Sequence, residues 1–170
     1  MTSAPTEPLT VIVNFGAQQQ AVNLMRAPPL SCFTALVGLT QGDRAWIADL
    51  QTDAPEWMRN AHGELDTGRG DDVQPWYDGY RAGLRFIKRH HLGWWWHCEA
   101  APPEDARDVL GMPEMTHLRT QPERYVIPSE RGGLPHVLLL LTWLQQDELR
   151  FRVLQAEGPV PHLRELPVLV

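Results

Sequence analysis

The segment HHLGWWWHCEA, residues 90–100, carries the residue types best suited to chemistry in this chain. Imidazoles transfer protons near neutral pH, imidazoles and thiolates bind metals, and tryptophan rings offer large surfaces for stacking. If the segment is a strand, its side chains alternate between two faces. The residues predicted to face the core are then Trp94, Trp96 and Cys98, and those predicted to face solvent or a cleft are Trp95, His97 and Glu99.

A metal site in this segment would need three or four converging ligands. His97 and Glu99 share one predicted face, and His90 or His91 would have to supply a third ligand. Cys98 would point away from His97, and the chain contains no Cys-x-x-Cys or His-x₃-His pair. A phosphate-binding loop and a Gly-x-Gly-x-x-Gly motif are also missing from the sequence. We therefore predict neither a metal nor a cofactor.

A cluster of basic residues directly precedes the tryptophans. Residues 81–91 carry four cations and no acid, although the whole chain has a net charge of −6. Such cations bind carboxylates and phosphates, and a neighbouring aromatic ring adds a stacking or cation–π contact. We predict a binding surface composed of Arg81, Arg85, Lys88, Arg89, His91, Trp95 and His97. The alternative is a solvated helix face whose charges meet acids of the same chain.

The predicted function is that of a non-enzymatic accessory, regulatory or immunity-type protein that binds another macromolecule, in the first place a protein, through the surface around residues 81–97. The chain lacks a Gly-x-Ser-x-Gly motif, is acidic, and contains seven tryptophans, a residue type that contributes strongly to protein contacts. Two alternatives remain open. The same surface would suit a single-stranded nucleic acid. A small hydrolase or nuclease would instead use His90, His91 or His97 as an acid–base group.

Length and composition indicate one water-soluble domain. The chain has 170 residues, of which 43% are hydrophobic, enough to bury a core. Residues 1–8 are predicted as a disordered lead and residues 9–170 as the domain. Cys32 and Cys98 are too few for a disulfide framework, although they would suffice for one bridge, and they are interpreted as buried thiols of a reducing compartment. With no signal sequence and no apolar run of the ~20 residues that cross a bilayer, we expect a cytoplasmic protein without a membrane partner.

The order of the predicted elements favours an α+β fold with a mostly antiparallel sheet backed by two or three helices. Strands are predicted at 9–15, 21–25, 45–50 and 94–100, with a turn at 16–20 and a short strand at 124–127. Helices are predicted at 30–42, 54–62, 76–91 and 102–111, with a loop at 63–75.

The helix at 76–91 is predicted from two distinct faces. Its apolar face follows the 3.6-residue period and consists of Tyr77, Tyr80, Leu84, Ile87 and His91. The basic residues Arg81, Arg85 and Lys88 lie on another face. Gly93 is predicted to end this helix.

Residues 136–145 and 149–156 are predicted to form a hairpin whose first strand is buried on both faces. One long helix from Pro135 to Gly158 is the alternative. The segment after Gly158 is expected to run extended over the surface or to pair at a sheet edge. The predicted core residues are Trp94, Trp96, Leu139, Leu141, Trp143, Phe151 and Val153.

Overall fold

The structure, a computed structural model, describes residues 9–26, 35–51, 83–84, 86–120, 137–157 and 162–169. Within these residues the strands are β1 (Thr10–Val13), β2 (Ala35–Gln41), β3 (Arg44–Gln51), β4 (His90–His97), β5 (Val137–Gln145), β6 (Glu148–Glu157), β7 (His162–Glu165) and β8 (Val168–Leu169). The α-helices are α1 (Phe15–Arg26), α2 (Ala106–Val109) and α3 (Thr116–Thr120), and a 3₁₀ turn spans Pro113–Met115.

All eight described strands belong to one mixed sheet in the order β7-β6-β5-β4-β2-β3-β1-β8. The pairs β4–β5, β3–β1 and β1–β8 are parallel, and the other four pairs are antiparallel. The α+β class agrees with the prediction, as do the three α-helices of the described residues, but the mostly antiparallel sheet does not. The direction of pairing is decided by connections between distant strands, which the local apolar pattern does not record.

The two outer strands of the sheet, β7 and β8, are consecutive in the chain and are separated by only Leu166 and Pro167. β7 pairs with β6 at one edge, and β8 pairs with β1 at the other. The sheet must therefore curl until β6 and β1 approach each other. The predicted pairing of the tail at a sheet edge is confirmed, and it occurs at both edges.

The sheet separates two hydrophobic cores. Core 1 contains residues of β4 and β5, such as Trp94 and Leu139, and it is covered by α2 and α3 through Val109 and Leu118. Core 2 lies on the other face and contains residues of β1, β3 and β5 together with helix α1. Because both faces are covered, the central strands are buried on both sides.

Helix α1 corrects the predicted turn and returning strand at 16–25. Its buried residues are Ala17, Ala21 and Met25, spaced four apart as on one helical face. Gln18 and Gln20 join the helix to the sheet. Gln18 Nε2 donates to the carbonyl of Val13 at 3.0 Å, and Gln20 Oε1 accepts from the backbone N–H of Leu50 at 2.8 Å.

Strand β2 corrects the predicted helix at 30–42. Ala35, Leu36 and Val37 are all buried, the first and third in core 1 and the second in core 2. A central strand covered on both faces has a continuous apolar run, which cannot be told from a buried helix by its period. Gly38 allows β3 to approach, since a Cβ atom there would lie 1.7 Å from the carbonyl oxygen of Trp46.

The predicted hairpin at 136–156 is confirmed as β5 and β6. Its turn residues Gln146 and Asp147 have φ angles of 52° and 63°, which is the type I′ geometry that suits a two-residue hairpin. β5 is buried from Val137 to Trp143, so the prediction of a strand buried on both faces also holds. The predicted strand at 45–50 and the short helix within 102–111 are confirmed as β3 and α2.

Five of the seven predicted core residues are buried, whereas Trp96 and Phe151 are half-buried. The predictions for residues 1–8, 54–62, 63–75 and 124–127 lie outside the described residues. Within the described part of the chain, no helix combines the length and the apolarity needed to cross a lipid bilayer.

Candidate functional site

The backbone turn at residues 86–90 stands where the predicted helix was expected to continue to His91. The helical segment around Gly83 and Leu84 ends at Lys88, whose φ angle is 58°. Ile87 N–H donates to Gly83 O at 3.3 Å and Arg89 N–H donates to Leu84 O at 2.7 Å. In a Schellman helix end, the N–H of the residue that follows the left-handed residue donates to the carbonyl five positions earlier in the chain, as Arg89 does to Leu84. Lys88 therefore takes the position predicted for Gly93, and β4 begins already at His90.

Gly93 lies within β4, opposite Leu138 of β5. A Cβ atom at this position would lie 1.7 Å from the carbonyl oxygen of Leu138. The glycine is therefore required by the close approach of two central strands, and it does not end a helix.

The turn at 86–90 presents two large apolar side chains to solvent. Phe86 is 89% exposed and Ile87 is 59% exposed, while Leu84 beneath them is buried in core 1. The prediction that Ile87 lies on the buried helix face is wrong, because the helix unwinds at this residue. The sequence pattern did not predict a role for Phe86. Its signal was an aromatic residue that lies off the apolar face of the predicted helix.

The basic predicted site residues are only partly described. Lys88 is exposed and Arg89 is half-buried, with Nη1 of Arg89 lying 3.5 Å from the carbonyl oxygen of Lys88. Arg81 and Arg85 lie outside the described residues, so the predicted grouping of four cations stays a prediction.

His91 belongs to the interior. It is 8% exposed, and its ring meets Trp94 edge-on with 4.7 Å between centroids. Its Nε2 lies 2.9 Å from the carbonyl oxygen of Gly93; since a carbonyl oxygen only accepts, Nε2 is the donor of this hydrogen bond. The β2–β4 ladder skips Leu92, and this bulge turns His91 to the Trp94 side of the sheet.

Trp95 and His97 lie on the opposite face of β4, as the alternation predicts. Trp95 packs against core 2 and donates its indole N–H to Thr142 Oγ1 at 2.8 Å. The Thr142 hydroxyl donates to Met25 Sδ at 3.4 Å, which links β4, β5 and α1. The exposed His97 ring lies parallel to Trp95, with 6.2 Å between centroids and 8° between planes. The structure thus brings Trp95 and His97 together and separates both from His91.

Cys98 lies on the Trp94 side of β4, as predicted, and is buried in core 1. Burial, with a smaller contribution from the charge of Glu114, raises the pKa of its thiol to about 12. The free thiol is therefore protonated at neutral pH and is a poor nucleophile. Among the described residues, no group of three His, Cys, Asp or Glu side chains converges to hold a metal ion.

Comparisons with known proteins place this geometry in no family. No protein-family model and no curated protein matches the chain. Among solved structures, the chain is similar to the solution structure of protein DSY2949 from Desulfitobacterium hafniense, with 11% sequence identity and a TM-score of 0.49. The alignment covers 94% of this chain and 91% of that one. A likeness of this extent assigns neither a family nor a function to the chain.

Proposed function

We propose that this chain is a non-enzymatic accessory protein that docks on another protein through the turn at 86–90. The observation that supports this most strongly is the exposure of Phe86, at 89%, beside Ile87, at 59%. Exposed apolar side chains that adjoin one another mark interaction sites more often than isolated ones do. We expect the partner to offer an apolar pocket for these two side chains.

The residues that follow Phe86 and Ile87 in the turn indicate the charge expected at the rim of the partner's pocket. Lys88 is exposed, Arg89 is half-buried, and His90 is exposed. A partner with carboxylates at the rim of its pocket would meet these side chains, and charge pairs at a rim mainly raise the association rate and the specificity. The acidic balance of the whole chain favours such a protein partner over a nucleic acid.

The backbone hydrogen bonds of the turn support a docking role further. Its backbone is fixed by the two hydrogen bonds from Ile87 and Arg89, and Leu84 anchors it in core 1. A preorganised turn loses little conformational freedom when it binds. The cytoplasm remains the expected compartment, and the free, buried thiol of Cys98 is compatible with it.

Photo-crosslinking in the native cell tests the proposal. A photoreactive amino acid at position 86 should yield one discrete protein adduct, and Lys88→Glu should weaken this adduct. The matched control carries the same amino acid at position 15, because Phe15 is also exposed, at 73%, but lies at the start of α1. Adducts that nuclease removes would support the nucleic-acid alternative. Equal labelling from positions 15 and 86 would overturn the docking role of the turn.

A further inference from the structure

The segment from His162 to Leu169, called here the closing segment, pairs with the free edges of two different strands. Its first half pairs with β6 over Leu154–Glu157, and its second half pairs with β1 at Val11 and Ile12. Two further backbone bonds of 2.9 Å join the middle of the segment to the same strands, from Leu166 N–H to Val153 O and from Val11 N–H to Pro167 O. The closing segment thus fills a groove between β1 and β6.

Two leucines of the closing segment enter different cores. Leu163 is 4% exposed and belongs to core 1, whereas Leu166 is 3% exposed and belongs to core 2. Three positions separate them, so the segment passes from one face of the sheet to the other between them. The groove therefore offers two apolar slots at a fixed distance along an extended chain.

A binding site for a carboxylate, formed by Arg152, lies between these two apolar positions. Glu165 binds Arg152 in a two-point contact, with 2.8 Å to Nε and 3.0 Å to Nη2. Arg152 is only 13% exposed, and it also donates to the carbonyl oxygens of Pro103 at 2.5 Å and Glu104 at 2.9 Å. These carbonyls hold the guanidinium group independently of Glu165, so this carboxylate-binding site would persist if the closing segment left the groove.

We infer that the groove between β1 and β6 is a strand-acceptor site, and that it takes the closing segment of a second copy of this chain in reciprocal exchange. The pattern that it recognises is the apolar-x-acidic-apolar sequence of residues 163–166. An exchanged segment would remake every contact just described, so the dimer needs no new interface. The linker between β6 and β7 has only four residues, and short hinges favour such exchange.

This inference concerns a different part of the molecule from the turn at 86–90, and three measurements test it. In the parent chain, hydrogen exchange at the Leu166 and Val11 amides should be at least about tenfold faster than at Leu140, because the closing segment opens locally. A fluorescent peptide of residues 162–169 should bind the Leu163→Ala, Leu166→Ala variant at least about tenfold more tightly than the parent, since apparent affinity rises with the open fraction. A peptide carrying Glu165→Gln should bind more weakly, and a scrambled peptide should not bind.

The third measurement is the oligomeric state after incubation at high concentration. The parent should form a dimer that persists on dilution, and the double variant should reach its monomer–dimer equilibrium faster, because its closing segment leaves the groove more often. Equal protection of Leu166 and Leu140 would overturn the inference even if the double variant failed to fold. Failure of the peptide to bind the folded variant would overturn it too. A parent that stays monomeric while the peptide binds would assign the groove to a segment of another protein and overturn the exchange.

Discussion

Replacement of Gly93 by alanine should be among the most destabilising single changes in the sheet. The new Cβ would lie 1.7 Å from the carbonyl oxygen of Leu138 and 2.6 Å from its carbonyl carbon. Relief requires β4 and β5 to separate locally by more than about 1 Å, against a normal spacing of roughly 4.8 Å. Overpacking of this kind costs about 1–3 kcal/mol, and each strained ladder hydrogen bond adds about 1 kcal/mol. We expect Gly93→Ala to lower the free energy of unfolding by about 3–5 kcal/mol, against the roughly 5–15 kcal/mol that stabilises a typical domain.

Urea unfolding monitored by tryptophan fluorescence measures this loss. The matched control is Gly16→Ala, because a Cβ atom there meets nothing within 4 Å and the residue lies in α1. Alanine should stabilise that helix by up to about 1 kcal/mol. A Gly93→Ala variant as stable as the parent would refute the close approach of β4 and β5. A loss of only about 1–2 kcal/mol would instead be the cost of a left-handed residue at a helix end.

Three further predictions follow from single side chains. Lys88→Gly should raise the free energy of unfolding by about 0.5–1 kcal/mol, because the left-handed backbone strain of about 1–2 kcal/mol exceeds the entropic cost of glycine. The midpoint of thermal unfolding should rise by about 1–4 °C, whereas Lys88→Ala should leave it no higher than in the parent. Arg152→Met should lower the free energy of unfolding by about 1–2 kcal/mol, because the guanidinium loses its hydrogen bonds to Glu165 and to two backbone carbonyls. The loss is moderate since the Glu165 carboxylate is 45% exposed and regains water. The matched change Arg150→Met, at a side chain 51% exposed, should stay within about 0.5 kcal/mol in chemical denaturation, and equal effects would contradict the role of the Arg152 guanidinium. The pKa of the Cys98 thiol is raised from 9.0 to about 12, so the thiol of the unfolded chain ionises first as the pH rises. The folded state should therefore lose stability between pH 9 and pH 12, and Cys98→Val should lack this contribution. Identical profiles of stability against pH for parent and variant would show that the thiol is accessible to water.

The sequence was sufficient where local pattern and burial agree. The alternating residues of β6 and the polar turn at Gln146 predicted the hairpin, and the alternation from Trp94 to Cys98 predicted the two faces of β4.

The pattern misled where tertiary contacts decide the conformation. Val37 and its neighbours are apolar on both sides because β2 contributes residues to both hydrophobic cores, so they resembled a helix. The Gln18–Gln20 run resembled a turn, although its side chains bond to the sheet. His91 was predicted at a helix face, and only the bulge at Leu92 explains its burial. The exposure of Phe86 depends on a helix ending at a lysine, a position where glycine is the usual signal.

The curl of the sheet has a consequence for how the chain is made. Val11 is among the earliest described residues to leave the ribosome, and its partner Val168 is among the last. Until β7 and β8 emerge, β1 and β6 each keep an unpaired edge, and unpaired edges of partly folded chains are prone to aggregation. Pairing between such distant segments also slows folding. The nascent chain should therefore depend on chaperones most strongly in the interval between the synthesis of β6 and the arrival of Leu166.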